Sequence, residues 1–196
     1  MKKIIISANS YWNLFNFRKN LVHCLLDNEL SVVTLSPDSC HATTMIKNTK
    51  HIDINIDSGG MSPLNDICTV IEYMIVFYKE KPDVCLFFTT KSNIYGSLAA
   101  SAMGINYINN ISGLGTAFIG GGWLSRILIM LYKISLKNSK MVFFQNKDDQ
   151  KIFLEKNIVY KDRIDLLPGS GVDLELYNLT SMVEKRTFVF LLVARL

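Results

Sequence analysis

Residues 82–108 read PDVCLFFTTKSNIYGSLAASAMGINYI, and the fold turns on this stretch. Pro82 closes the helical pattern before it. Residues 84–88 are then continuously apolar, residues 95–103 form an Ala-rich helical segment that stops at Gly104, and residues 105–108 (INYI) read as a further strand. A strand apolar at every position has both faces buried, as in a parallel sheet covered by helices. Strand, helix and strand in immediate succession make one βαβ unit.

The same alternation runs outward in both directions. Upstream, residues 3–7 predict a buried first strand and residues 15–28 a helix with Phe17, Leu21, Cys24 and Leu25 on one face. A second strand spans 31–35, stopped by Ser36-Pro37, and a weaker third spans 52–56. Leu64, Ile67, Ile71, Met74 and Tyr78 mark the apolar face of a long helix that ends before Pro82. Downstream, strands are expected at 141–145 and 164–167, with helices at 123–139 and 147–157. The order implies an α/β, Rossmann-like, doubly wound parallel sheet. Beyond Asp173 the chain turns polar, and residues 187–193 begin another apolar strand with nothing after it. Such a strand leaves unpaired edges, so the chain is expected to be truncated there.

The 196 residues are 49% hydrophobic and 19% charged, enough for a sizeable core and too weakly charged for disorder. No acidic residue lies between Asp83 and Asp148, a stretch that holds Lys91, Arg126, Lys133, Lys137, Lys140 and Lys147. One part of the fold should therefore present a positive potential to phosphates or lipid headgroups. Cys24, Cys40, Cys68 and Cys85 show no metal or redox spacing, and His23, His41 and His51 are isolated. No metal site and no cofactor are expected. The N-terminus turns polar too soon for a secretory signal, and no apolar run reaches the roughly 18 residues of a membrane span. The expected compartment is the reducing cytoplasm.

Ligands of open α/β sheets bind beyond the carboxyl ends of the strands. After the first strand comes Ala8-Asn9-Ser10-Tyr11-Trp12-Asn13, with no GxGxxG and so no dinucleotide fingerprint. Its amides and aromatic face suit a sugar, with Arg18 one turn further on; ordinary helix entry, with Asn13 or Asn16 as N-cap, fits equally. Lys91 follows the fourth strand, placed to meet an anion, although a solvated lysine on a turn is the alternative. Asn109-Asn110-Ile111-Ser112-Gly113-Leu114-Gly115 can approach a ligand closely and hydrogen-bond it. On the helix after Gly122, Arg126, Lys133, Lys137 and Lys140 form a cationic stripe amid apolar residues. That pattern fits an anionic membrane surface or a solvated stripe on a packed helix.

Taken in order, several segments resemble the N-terminal half of bacterial family 4 glycosyltransferases, retaining enzymes of the two-Rossmann GT-B architecture. They are residues 12–18 (WNLFNFR), 91–100 (KSNIYGSLAA), 109–115 (NNISGLG), 143–146 (FFQN), 167–173 (LPGSGVD) and 192–196 (LVARL). Ser92 departs from the proline usual in relatives. The resemblance implies an acceptor-binding domain over 1–177, with 178–196 as linker and first strand of a truncated donor domain. It implies transfer from a nucleotide sugar to a lipid-linked (undecaprenyl-diphosphate) saccharide. Such transfer serves surface polysaccharide assembly, including the O antigen of lipopolysaccharide, at the inner face of the cell membrane, and needs no metal. Trp12, Asn13, Arg18, Lys91, Asn93 and Asn110 would then meet the acceptor, and Arg195 the donor phosphates. Arg126, Lys133, Lys137 and Lys140 would contact the membrane. Without a donor domain no turnover is expected. A non-catalytic module that docks on a membrane or a partner is the alternative; a GT-B epimerase is disfavoured by the loops, and nucleic acid by the lack of aromatic-interleaved cations.

Overall fold

In the computed structural model, residues 1–37, 46–57, 62–114, 118, 122–174, 177 and 190–193 are described, and the apolar run Lys3–Ser7 forms β1 inside a seven-stranded sheet. It is followed by α1 (Tyr11–Asp27), β2 (Ser31–Ser36), β3 (Lys50–Asp53), α2 (Pro63–Glu80) and β4 (Val84–Phe88). A π-helical turn (Ser92–Gly96) then leads into α3 (Ser97–Ala102), β5 (Asn106–Ile111), α4 (Gly122–Leu136), β6 (Met141–Phe144), α5 (Lys147–Glu155) and β7 (Ile164–Leu166). The strand order is β3-β2-β1-β4-β5-β6-β7, and every pairing is parallel. The chain winds outward from β1 to β3, returns to lay β4 beside β1, and winds outward again to β7. The loops after β1 and β4 therefore part from each other at the switch point.

Alternation along the strands separates two layers. Ile5, Val33, Cys85, Phe87, Tyr107, Val142 and Phe144 join Tyr73 and Phe77 of α2 and Tyr132 of α4 in the larger core. Aromatic rings run through it, with Phe87 within 6.0–6.4 Å of Tyr73, Phe77 and Tyr107. Ile4, Ile6, Val32 and Phe88 face the other way, against Leu14 and Val22 of α1. Each such buried aliphatic side chain contributes roughly 1.5–3 kcal/mol. At the amino end of the sheet the buried Glu80 carboxylate accepts from Lys50 Nζ at 2.6 Å and from Lys3 Nζ at 3.0 Å, and these bonds lower its pKa.

Several sequence expectations need correction. Helix α1 starts at Tyr11, capped by the Ser10 side chain that accepts from Asn13 N–H, so neither Asn13 nor Asn16 is the cap. Its inward face is Tyr11, Leu14, Arg18 and Val22, while Phe17 and Cys24 are exposed. Asn109 and Asn110 belong to β5, where they pair with Phe87 and Phe88, and are not a loop. Strand β3 begins two residues earlier than expected. Helix α4 ends at Leu136, which puts Lys140 in the turn before β6, its N–H bonded to the Tyr107 carbonyl at 2.9 Å. Residues 190–193 lie in no strand and are exposed. Residues 187–189 and Arg195 lie outside the described residues, as do Cys40, His41 and Gly115.

Candidate functional site

The face of β4, β5 and β6 on the α1 side borders a groove of about 1160 Å³. Leu86, Ile108 and Phe143 form its apolar floor; Trp12, Phe15 and Leu21 of α1 make one wall, and residues 169–173 close the carboxyl end. Register explains which side chains look into it. Leu86 pairs with Ile108 and Asn110 with Phe143, so all four project to one face.

Into this groove the fold turns a buried cation. Arg18 is only 6% exposed and stacks its guanidinium 4.0 Å above the Phe88 ring. Nη1 donates to Ser170 Oγ at 2.9 Å, whereas Nε is buried without a hydrogen-bond partner. Among the described residues no carboxylate forms an ion pair with it. Burial alone lowers its pKa to about 10, still far enough above neutrality to keep the charge. A buried charge without a counter-ion is costly, and an incoming anion removes that cost. Gln145, at the end of β6, donates to Asn110 Oδ1 at 3.4 Å and to Ser170 Oγ at 3.3 Å. Asn110, Gln145, Ser170 and Arg18 thus form one polar corner in an otherwise apolar groove.

On the other side of β5 lies a pocket of about 200 Å³ at the switch point, lined by Asn9, Thr89, Lys91, Asn93 and Ser112 among others. Thr89 has φ +70°, a left-handed conformation that disfavours a β-branched residue by about 1–3 kcal/mol. It is held there by Asn9 N–H, which donates to Thr89 Oγ1 at 3.0 Å. Strained backbone followed by a π-turn is a combination met at functional sites. Lys91 does not stand free: its Nζ lies 2.9 Å from Asp66 Oδ1 of α2, with both side chains 17% exposed.

Asn93 is engaged inside the protein. Its Nδ2 donates to the Asn110 carbonyl at 2.9 Å, and its Oδ1 accepts from Asn109 Nδ2 at 2.9 Å. Asn109 also donates to Ser97 Oγ and accepts from Ser139 Oγ, each at 2.8 Å. This buried network links β5 to the π-turn and α3, and holds the Asn110 backbone by its carbonyl.

The structure therefore brings Trp12, Arg18 and Asn110 together in the groove, and sets Lys91 and Asn93 in the adjoining pocket. Asn13 sits in the first turn of α1, its Oδ1 buried without a partner. Sequence reasoning passed over Ser170 and Gln145 as site residues; the signal for Gln145 was its position at the carboxyl end of a strand. Helix α4 carries Arg126 and Lys133 on its exposed side, interleaved with Trp123, Ile127, Met130 and Ile134, and the exposed Lys137 follows directly after its last residue. Its buried side, by contrast, is Ser125, Tyr132, Ser135 and Leu136. Among the described residues no helix is long and apolar enough to cross a membrane, and no group of three or more His, Cys, Asp or Glu could hold a metal ion.

Residues 3–146 match the family model described as glycosyl transferase 4-like. No curated protein matches the sequence. A glycosyltransferase from Rickettsia africae superposes with TM-score 0.63 at 15% identity, covering 91% of this chain and 46% of that one. MurG from Acinetobacter baumannii gives 0.58 at 14%, covering 88% and 46%. The UDP complex of S. aureus MnaA gives 0.62 at 18%, covering 95% and 49%. The chain thus spans about half the length of the solved structures it resembles. At these identities the likeness concerns the fold, a Rossmann-like domain as in GT-B enzymes.

Proposed function

Since the chain belongs to the glycosyl transferase 4-like family, we propose that it is the acceptor-binding part of a retaining glycosyltransferase that uses a lipid-linked saccharide phosphate. One observation carries the reading: a buried Arg18, its Nε without a partner, faces a large apolar groove. An apolar groove with a buried cation at its polar corner fits an amphiphile with a phosphate head and a hydrocarbon tail. An undecaprenyl-diphosphate saccharide has that form, and its use would put the enzyme in surface polysaccharide assembly, as in O-antigen synthesis. Arg18 and Ser170 would hold the phosphate, Trp12 and Asn110 would orient the first sugar, and Lys91, steadied by Asp66, would flank it. Asn93 and Asn13 would act as positioning residues.

Residues 1–177 would form this acceptor domain, and 178–196 would lead into the donor half, with Arg195 at the donor phosphates. There a cation stabilises charge developing on the leaving nucleoside diphosphate. Among the similar structures, a UDP-GlcNAc 2-epimerase from Neisseria meningitidis is bound to UDP-GlcNAc and S. aureus MnaA to UDP. A nucleotide sugar is the corresponding donor class here. By itself the acceptor domain would bind without turnover.

The test is a titration of Trp fluorescence with farnesyl diphosphate in detergent, with farnesol as the phosphate-free control. Saturable binding of the diphosphate at least about tenfold tighter than of the alcohol is expected from a charge-assisted contact. Equal affinity for both overturns the phosphate assignment.

The exposed side of α4 supports a peripheral site on an anionic membrane. Its aromatic and aliphatic side chains insert while Arg126 and Lys133 meet headgroups, with Lys137 and Lys140 just beyond the helix. Each surface cation contributes roughly 1 kcal/mol on an anionic bilayer. The double reversal Lys133→Glu/Lys137→Glu should therefore lower partitioning onto phosphatidylglycerol vesicles by on the order of 100-fold or more in a flotation assay. Unchanged flotation leaves α4 as a solvated helix.

A further inference from the structure

Leu64, Ile67, Ile71, Met74 and Tyr78 have the spacing of a core-facing stripe, yet on α2 they face solvent. Together with Ile75 they are 36–76% exposed, while Thr69, Tyr73, Val76 and Phe77 pack on the sheet. Helix α2 is thus apolar on two sides. The outer stripe exposes on the order of 600 Å², at the upper end of what a monomer carries in one patch. It holds no charge. The two acids between Leu64 and Tyr78 are turned to internal partners, Asp66 to Lys91 at 2.9 Å and Glu72 Oε2 to the Asn55 N–H at 2.7 Å. This sets it apart from α4, whose exposed apolar residues are interleaved with cations as a lipid surface requires.

The spacing points to the occupant. Steps of three and four residues from Leu64 to Tyr78 match the a/d seam of a helix pair. Counted from Ile71, the exposed stripe lies at −7, −4, −3, 0, +3, +4 and +7, Cys68 included. It is therefore the same read in either direction. A second copy of this chain, related by a two-fold axis through Ile71, presents the matching surface. Leu64 then meets Tyr78, Ile67 meets Ile75, Cys68 meets Met74, and Ile71 meets itself, with the helices antiparallel and their dipoles opposed. Both copies together bury on the order of 1,200 Å², the lower bound of a specific interface. We propose that α2 is a homodimer interface, an antiparallel helix pair centred on Ile71.

Sedimentation equilibrium on the chain as it stands should show a dimer. Ile71→Glu sets two carboxylates against each other on the axis and should shift the protein to monomer, raising the dissociation constant at least tenfold with the circular-dichroism spectrum unchanged. Under mild oxidation Met74→Cys should form a disulfide-linked dimer through Cys68 of the second copy, and Met74→Cys/Cys68→Ser should not. A wild-type monomer at 100 μM overturns the proposal. So does a dimer that survives Ile71→Glu, or loss of vesicle flotation in Ile71→Glu, which would mean that lipid covers the stripe.

Discussion

Arg18→Met should strongly weaken diphosphate binding and leave the protein as stable as before, or more so. The two effects part company because Arg18 is a poor structural residue. Its charge is buried, Nε has no partner, and burial alone pushes its pKa down to about 10. That depression means the fold disfavours the protonated form at neutral pH, and the penalty fades only as pH rises past the folded value. Methionine keeps the apolar stem over Phe88 and drops the charge. It forfeits the cation–π contact and the Ser170 bond, of about 1 kcal/mol each, against a desolvation cost at least as large. The expected Tm change runs from zero to an increase of about 2–4 °C. Affinity for farnesyl diphosphate should fall by on the order of 100-fold. Calorimetry and the fluorescence titration check the pair. A large drop in Tm with binding intact would make Arg18 a structural residue and end the phosphate assignment.

Gly96→Ala should destabilise strongly although its backbone is ordinary. Gly96 closes the π-turn at φ −62° and ψ −40°, where alanine is normally the better helix former by about 1 kcal/mol. The obstacle is Phe87. An added Cβ would overlap ring atom Cε1 and lie 2.7 and 2.9 Å from Cδ1 and Cζ. Phe87 is fully buried and boxed by Tyr73, Phe77 and Tyr107, so its ring has nowhere to go. Overpacking of this kind costs about 3 kcal/mol, leaving a net loss of about 2 kcal/mol and a Tm lower by about 4–8 °C. Thermal unfolding measures it directly. An unchanged Tm would show that the π-turn shifts away from β4 and that the close approach is not required.

The strand positions were legible in the sequence because parallel strands announce themselves as short apolar runs between helices. Faces were harder to read. On α2 the period was right and the side wrong, since Leu64, Ile67 and Ile71 compete with Tyr73, Val76 and Phe77 and only the sheet decides which stripe it takes. On α1 the buried stripe includes an arginine, which no hydrophobic pattern would select. Asn109 and Asn110 looked like a loop because Asn is depleted in strands; here Asn93, Ser97 and Ser139 satisfy Asn109 in the core. Lys91 read as a free cation because its partner Asp66 stands 25 residues upstream, on another helix. Arg18 as a candidate anion contact was legible as a residue type near a strand end. Its burial, and the company of Ser170 from 152 residues downstream, came only with the fold.

The placement of β1 beside β4 also sets a clock. The Lys3 amide is bonded to the side chain of Asp83, 80 residues later, and Ile4 to Ser7 find their partners on that side only in residues 84–87. At a synthesis rate of 5–20 residues per second, one edge of the Ile4-Ile5-Ile6 run waits roughly 4–16 s on the ribosome after it is made. During that interval β2 can cover only the opposite edge. The Ile4-Ile5-Ile6 run thus keeps an open strand edge for seconds after its synthesis, the kind of edge on which another strand can pair wrongly.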